Sequence, residues 1–171
     1  MFIGLDLGTS HLKGIVIDDA QNICAEASFP LNVKRPKNSW VEQDPNDWIV
    51  ATENVMASLS VQVKLDQVKA IGLSGQMHGA TILDQNGNVL RPCILWNDTR
   101  SFEEASYLDS KAIFRDLTGN IVFPGFTAPK IAWIKKHEPK IFDQISKVLL
   151  PKDYLRFWLS GEYVAEMSDA A

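Results

Sequence analysis

Two short runs rich in Ile, Leu and Val, residues 2–8 and 12–18, open the chain and meet at Gly8-Thr9-Ser10-His11. A connection this short permits an antiparallel hairpin and excludes a parallel crossover, which needs a dozen or more residues. The apolar residues do not strictly alternate, so both strands are expected to be covered on both faces. Asp18-Asp19-Ala20-Gln21-Asn22 is a polar turn, and residues 23–31 read as a third strand. The opening is therefore a three-stranded antiparallel meander.

Residues 32–43 are polar and carry Pro36, Asn38 and Ser39, as a loop does. Asp44-Pro45 then starts a helix, with a carboxylate at the N-cap, proline at the first helical position and Asp47 at the third. Trp48, Thr52, Val55, Met56 and Leu59 follow at helical spacing and form the stripe that packs on the sheet. Residues 68–73 are expected to be a central strand ending in Ser74-Gly75-Gln76-Met77-His78-Gly79. Residues 80–83 and 88–95 flank Asn86-Gly87, a strong hairpin-turn signal. Beyond them the helices are 100–108, 111–117 stopped by Thr118-Gly119, 129–137, 139–145, and 153–160 capped by Gly161. Val148-Leu149-Leu150 is a brief strand among them. The order of elements predicts an α/β fold, a mixed sheet with flanking helices. Residues 162–171 include a plausible strand and stop on Ser168-Asp169-Ala170-Ala171, an ending that reads as cut rather than finished.

Composition narrows the function classes. The 171 residues, 46% of them hydrophobic, are enough for one domain with a sizeable core. Seventeen basic against 21 acidic residues give net charge −4, and no Lys/Arg cluster exceeds a local pair or triplet, which argues against a nucleic-acid partner. No run approaches the roughly 18 apolar residues of a membrane span. Asp6 interrupts the first apolar run, and no basic n-region or cleavage site marks a signal peptide. Cys24 and Cys93 match no metal or redox spacing. A cytoplasmic protein with reduced thiols is expected.

Three segments could carry chemistry. In Asp6-Leu7-Gly8-Thr9-Ser10, followed by Lys13, a strand ends in a carboxylate and turns tightly. Backbone N–H groups of such a turn form an anion nest, hydroxyls add donors to phosphate oxygens, and Asp6 can hold Mg2+ through water. The turn enters a second strand rather than a helix, unlike a Walker loop. An ordinary β-turn capped by Asp6 is the alternative. In Gly75-Gln76-Met77-His78-Gly79, Gln76 and His78 can hydrogen-bond sugar hydroxyls while Met77 offers an apolar wall. The plain alternative is a loop histidine on a backbone carbonyl. In Trp96-Asn97-Asp98-Thr99-Arg100, the indole can stack on a sugar and Asp98 can bind it. Core packing for Trp96, an N-cap for Asp98 and a surface Arg100 serve equally well. Trp48 and Trp133 belong to the core, whereas Trp40 in the polar loop is expected to be an exposed rim contact. His11, His137 and the Lys135-Lys136 pair are expected on the surface.

Taken together, these segments resemble the FGGY carbohydrate kinases. Ile3-Gly4-Leu5-Asp6-Leu7-Gly8-Thr9-Ser10, Trp40-Val41-Glu42-Gln43-Asp44-Pro45, Gly75-Gln76-Met77-His78-Gly79 and Leu95-Trp96-Asn97-Asp98-Thr99-Arg100 occur in that family's order and spacing. The match extends through Gly125-Phe126-Thr127-Ala128-Pro129-Lys130, Leu150-Pro151-Lys152-Asp153-Tyr154-Leu155 and Ser168-Asp169-Ala170-Ala171. The Gln-Met-His loop is similar to that of the xylulokinase branch.

The resemblance implies a ribonuclease H-like (actin-like ATPase) domain, the first of two around a cleft, with residues 1–171 as the N-terminal domain. It places Asp6 by the Mg2+–phosphate region, with Gly8, Thr9, Ser10 and Lys13 facing the nucleotide. Gln76, Met77, His78, Trp96 and Asp98 fall on the sugar side. ATP and Mg2+ are the implied cofactors, D-xylulose the implied substrate, and a homodimer the implied state of the intact enzyme. The family's general base and adenine site lie in the second domain, so this chain alone is expected to be inactive. A kinase for L-ribulose or a polyol, a stand-alone sugar-binding module and a noncatalytic actin-like scaffold are the alternatives.

Overall fold

Strict alternation of burial governs the opening hairpin. The computed structural model describes residues 1–169. In β1 (Phe2–Leu7), Ile3, Leu5 and Leu7 point into the core, and in β2 (His11–Ile17) Leu12 and Val16 join them. The two strands pair antiparallel, with Asp6 opposite Lys13 and Leu7 opposite Leu12. β3 (Ile23–Pro30) pairs antiparallel with β2, which completes the expected meander. The expectation that the strands are covered on both faces fails. The second face carries Gly4, Asp6, Lys13 and Ile15, and nothing among the described residues packs over it. The apolar residues that break the sequence alternation, such as Ile15, are left partly in solvent.

The polar stretch after β3 contains a two-residue strand, β4 (Glu42–Gln43), that a loop reading does not include. α1 (Pro45–Ser60) begins as its signal predicts, with the Asp44 carboxylate accepting from the Asn46 N–H at 3.0 Å. Trp48, Thr52, Val55 and Leu59 are buried against the sheet, and Met56 is half-buried. A Cβ on Gly14 would lie 2.5 Å from Val55 Cγ1, so only glycine lets α1 sit this close to β2. β5 (Ala70–Gly75) runs parallel to β1, from Phe2 opposite Ala70 to Leu7 opposite Gly75. The sheet order is β3-β2-β1-β5, which makes β5 an edge among the described residues rather than the expected central strand.

The Asn86-Gly87 turn forms, with the Asp84 N–H donating to the Asn88 carbonyl at 3.0 Å, but its flanks do not zip into a hairpin. β6 (Thr81–Leu83) pairs with β8 (Lys147–Leu149), and β7 (Cys93–Ile94) pairs with β4. Only isolated bridges, such as Leu83 to Val89, link the two sides of the turn. All three residues of β6 are buried, so this strand is satisfied by deeper partners than its sequence neighbour.

Helices α2 (Phe102–Asp109), α3 (Ala112–Thr118), α4 (Thr127–His137), α5 (Pro139–Phe142) and α6 (Pro151–Ser160) follow the expected order. α5 is shorter than the expected 139–145. Residues 162–169 form no strand, because the Glu166 carboxylate folds them into a local turn by accepting from the Ser168 and Asp169 N–H groups. The core lies in two clusters. The larger joins the sheet to α1, β8 and α6, and the smaller gathers Ile82, Ile94, Trp133 and Ile134 under α4. Among the described residues, no helix is long and apolar enough to cross a membrane.

Candidate functional site

Because β1 and β5 are parallel, their C-terminal ends emerge side by side, the usual place for a ligand on an α/β sheet. There the 8–10 turn meets the 76–79 loop. The Gln76 N–H donates to the Leu7 carbonyl at 2.8 Å, which fixes the two segments backbone to backbone. Side chains then close a ring of hydrogen bonds. Thr9 Oγ1 donates to Gln76 Oε1 at 3.2 Å, Gln76 Nε2 donates to Gln43 Oε1 at 2.8 Å, and Gln43 Nε2 returns to the Thr9 carbonyl at 2.6 Å. The Trp48 indole N–H also donates to Gln43 Oε1, at 3.1 Å, and the Trp96 indole N–H donates to Thr9 Oγ1, at 3.0 Å. Both amides therefore have one allowed orientation.

The ring draws together Thr9, Gln76 and Trp96, three of the residues singled out in the sequence. Gln76 is buried and engaged at both ends of its amide, so it holds the loop instead of facing the opening. Trp96 keeps one side of its indole in solvent at 42% exposure. Asp6, Ser10 and Lys13 are exposed and Gly8 is half-buried, with Asp6 and Lys13 side by side on the open sheet face. Met77 is exposed at the loop tip. His78 is half-buried at φ 59°, and its ring packs 4.6 Å from that of Phe126. Burial, with the nearby Lys130 ammonium second, holds the imidazole below its ordinary 6.5. It is neutral at pH 7. A cavity of about 340 Å3 opens beside His78, walled by Phe126, Thr127, Pro129, Leu150 and Asp153.

Asp98 lies behind the site. It has no exposed surface, and its carboxylate accepts from the Val41 N–H at 2.5 Å and from the Arg100 guanidinium at 2.6 Å. The Arg100 side chain is buried too, not on the surface. It reaches Glu42 at 2.7 Å, and Arg91 joins Glu42 to Glu138 in the same cluster. The expected exposed rim contact at Trp40 is also overturned. Its ring is half-buried, with the Arg100 guanidinium 3.8 Å above it and the Trp133 ring edge-on at 5.2 Å. Trp133 and Trp48 are core residues, as their helical spacing predicts.

Two further residues, Gln43 and Lys130, were not singled out from the sequence for a role of their own. Gln43 sits in a stretch that reads as loop, where nothing marks it. Lys130 has one signal, since it shares a helix face with Trp133 and Ile134 and so must be buried with them. Its Nζ donates to the His78 carbonyl at 2.7 Å and to the Gly125 carbonyl at 2.6 Å. Burial pushes its ammonium down from 10.5 to about 8. A Cβ on Gly125 would collide with the Trp96 carbonyl oxygen, so this glycine lets the loop before α4 close against the segment after β7 that carries Trp96.

The family model for the N-terminal domain of the FGGY family of carbohydrate kinases matches residues 1–171. The chain belongs to the FGGY carbohydrate kinases. It is 51% identical over its whole length to the xylulose kinase of Escherichia coli (strain K12), of which it covers 36%. Its fold superposes on the crystal structure of a xyloylose kinase from Brucella ovis with a TM-score of 0.97, at 56% identity, over 99% of this chain and 36% of that one. The xylulose kinase from Rhodospirillum rubrum gives a TM-score of 0.93 at 32% identity, over 99% of this chain and 36% of that one. The chain thus spans about a third of the length of the relatives it matches. Its mixed sheet with flanking helices is the actin-like ATPase fold of these FGGY sugar kinases.

Proposed function

We propose that this chain is the sugar-binding N-terminal part of a kinase that transfers the γ-phosphoryl group of ATP to the C5 hydroxyl of D-xylulose, giving D-xylulose 5-phosphate. The observation that carries the reading is the bonded junction of the 8–10 turn with the 76–79 loop. It occurs on a chain that is 51% identical, along its own length, to part of an Escherichia coli protein named a xylulose kinase. Phosphoryl transfer asks a protein mainly for positioning and for charge stabilisation. Exposed Met77 offers the sugar an apolar wall, neutral His78 offers it hydrogen bonds, and the open side of Trp96 offers a stacking surface at the junction.

Among the described residues no three His, Cys, Asp or Glu side chains converge on a metal position. Asp6, exposed beside Lys13, fits Mg2+ held through water by one carboxylate and the nucleotide's own phosphates, and a protein-built cage is not required. When bound there with ATP, Mg2+ supplies neutralisation of phosphate charge. Ser10 and the turn backbone face the phosphates, Thr9 anchors that turn to Gln76 and Trp96 through its hydroxyl, and Lys13 adds a positive charge. The carboxylate that takes the proton of the sugar hydroxyl belongs to the second domain, so the 171-residue chain alone is inactive.

The test uses a kinase-length polypeptide that carries this chain. Asp6→Ala is expected to lower kcat on the order of 100-fold or more, while KM for the sugar changes by less than about threefold. An undiminished rate overturns the role of Asp6. In a panel of pentuloses and polyols, preferred turnover of L-ribulose or a polyol overturns the choice of D-xylulose.

A further inference from the structure

Lys130 is completely buried, yet among the described residues no carboxylate lies within ion-pair distance of its ammonium. Burying a charge is unfavourable unless polar partners compensate it, and here the partners are two backbone carbonyls, those of His78 and Gly125. Thr127 Oγ1 donates to the same His78 carbonyl at 3.2 Å. His78 holds a positive φ, uncommon for a residue with a side chain, and its ring rests on Phe126, the neighbour of Gly125. One ammonium therefore ties together the two loops that carry the two facing rings. A compact ammonium can point its hydrogens at two carbonyls from different loops, whereas the planar fork of arginine suits a carboxylate.

We propose that Lys130 is a positioning residue of the sugar site, holding the His78 and Gly125 carbonyls together so that the His78 ring keeps one orientation toward the sugar. The proposal rests on the reading of the 76–79 loop as a sugar loop. Lys130 does not touch the sugar; it acts through His78. The charged groups that face His78 are Lys130 from α4, Asp153 from α6 and Asp169 after it. Both carboxylates are paired with Lys152, at 2.8 and 2.9 Å, so loss of the Lys130 ammonium removes the cation that bears on the imidazole.

Two readouts test it. In the 171-residue chain, the His78 imidazole is titrated by NMR in the wild type, Lys130→Met and Thr127→Val. Lys130→Met keeps the length of the stem and removes the donors, and it is expected to raise the His78 midpoint and shift its ring resonances. In the kinase-length polypeptide, Lys130→Met is expected to raise KM for the sugar by about tenfold or more and Thr127→Val by about threefold, with KM for ATP unchanged, because small misplacements in a site act on the bound geometry. If Lys130→Met does not fold, Lys130→Gln, which removes the charge but keeps a polar side chain, carries both readouts. A folded Lys130 variant with an unshifted His78, or with a sugar KM within about twofold of the wild type, overturns the proposal. A wild type that turns over no sugar overturns the functional reading instead, and the His78 titration then decides separately whether Lys130 orients the ring.

Discussion

Lys130 and Cys93 are buried near one another, and their titrations pull stability in opposite directions. The Lys130 ammonium is held at about 8 in the folded chain against 10.5 ordinarily. Between those values the unfolded chain binds the extra proton, so stability rises with pH. Burial pushes the Cys93 thiol up from 9.0 to about 11, so above pH 9 the folded chain keeps the proton and stability falls. Urea unfolding is therefore expected to show a gain of about 1 kcal/mol from pH 8 to 9, followed by a plateau where the two effects cancel. In Cys93→Ala the falling arm disappears. Its stability relative to the wild type should grow by about 1.5 kcal/mol between pH 9 and 10.5. A difference that stays flat across that range would mean that the thiol titrates normally. What the sequence showed at this scale follows from distance along the chain. Asp6, the 8–10 turn and the Gln76-Met77-His78 loop stand out because the residues that make each one unusual are adjacent. Gln43 and Lys130 do not, because the groups that give them a purpose lie 34 and 52 residues away. The polar stretch around Trp40 predicts an exposed ring for the same cause, since the guanidinium that covers it arrives from Arg100.

Elements were legible where their signals are local. α1 carries its own start signal and its own apolar stripe, and it forms where both say it should. Asp44→Ala removes the acceptor for the Asn46 N–H and is expected to cost about 1 kcal/mol in chemical unfolding, whereas Asp44→Asn, which keeps a capping oxygen, should cost a few tenths. Equal losses for the two substitutions would move the role of Asp44 from cap to charge. The residues around Asn86-Gly87 show the opposite case. The turn forms as its chemistry predicts, yet β6 and β7 each pair with a strand far off in sequence. A turn signal specifies how the chain reverses, and burial of the flanking residues decides which strands they join.

For the whole molecule the consequential correction is the open face of the sheet. Runs of Ile, Leu and Val at the start of the chain suggested strands covered on both sides. Instead one face packs on α1, and the other leaves Ile15 at 38% exposure among Gly4, Asp6 and Lys13. The two faces should therefore differ sharply in what they contribute. Leu5, completely enclosed beneath α1, stabilises through apolar burial and close packing, and Leu5→Ala is expected to cost roughly 2–5 kcal/mol. Ile15→Thr keeps a β-branched side chain on a partly solvated face and should change stability by no more than about 0.5 kcal/mol. Both are read from urea unfolding of the same 171-residue chain, so the comparison does not depend on the reference state. A penalty at Ile15 that matches the one at Leu5 would mean that in solution something covers this face. Asp6 and Lys13 share that face, so the same measurement reports whether the carboxylate assigned to the Mg2+–phosphate region is open to a ligand.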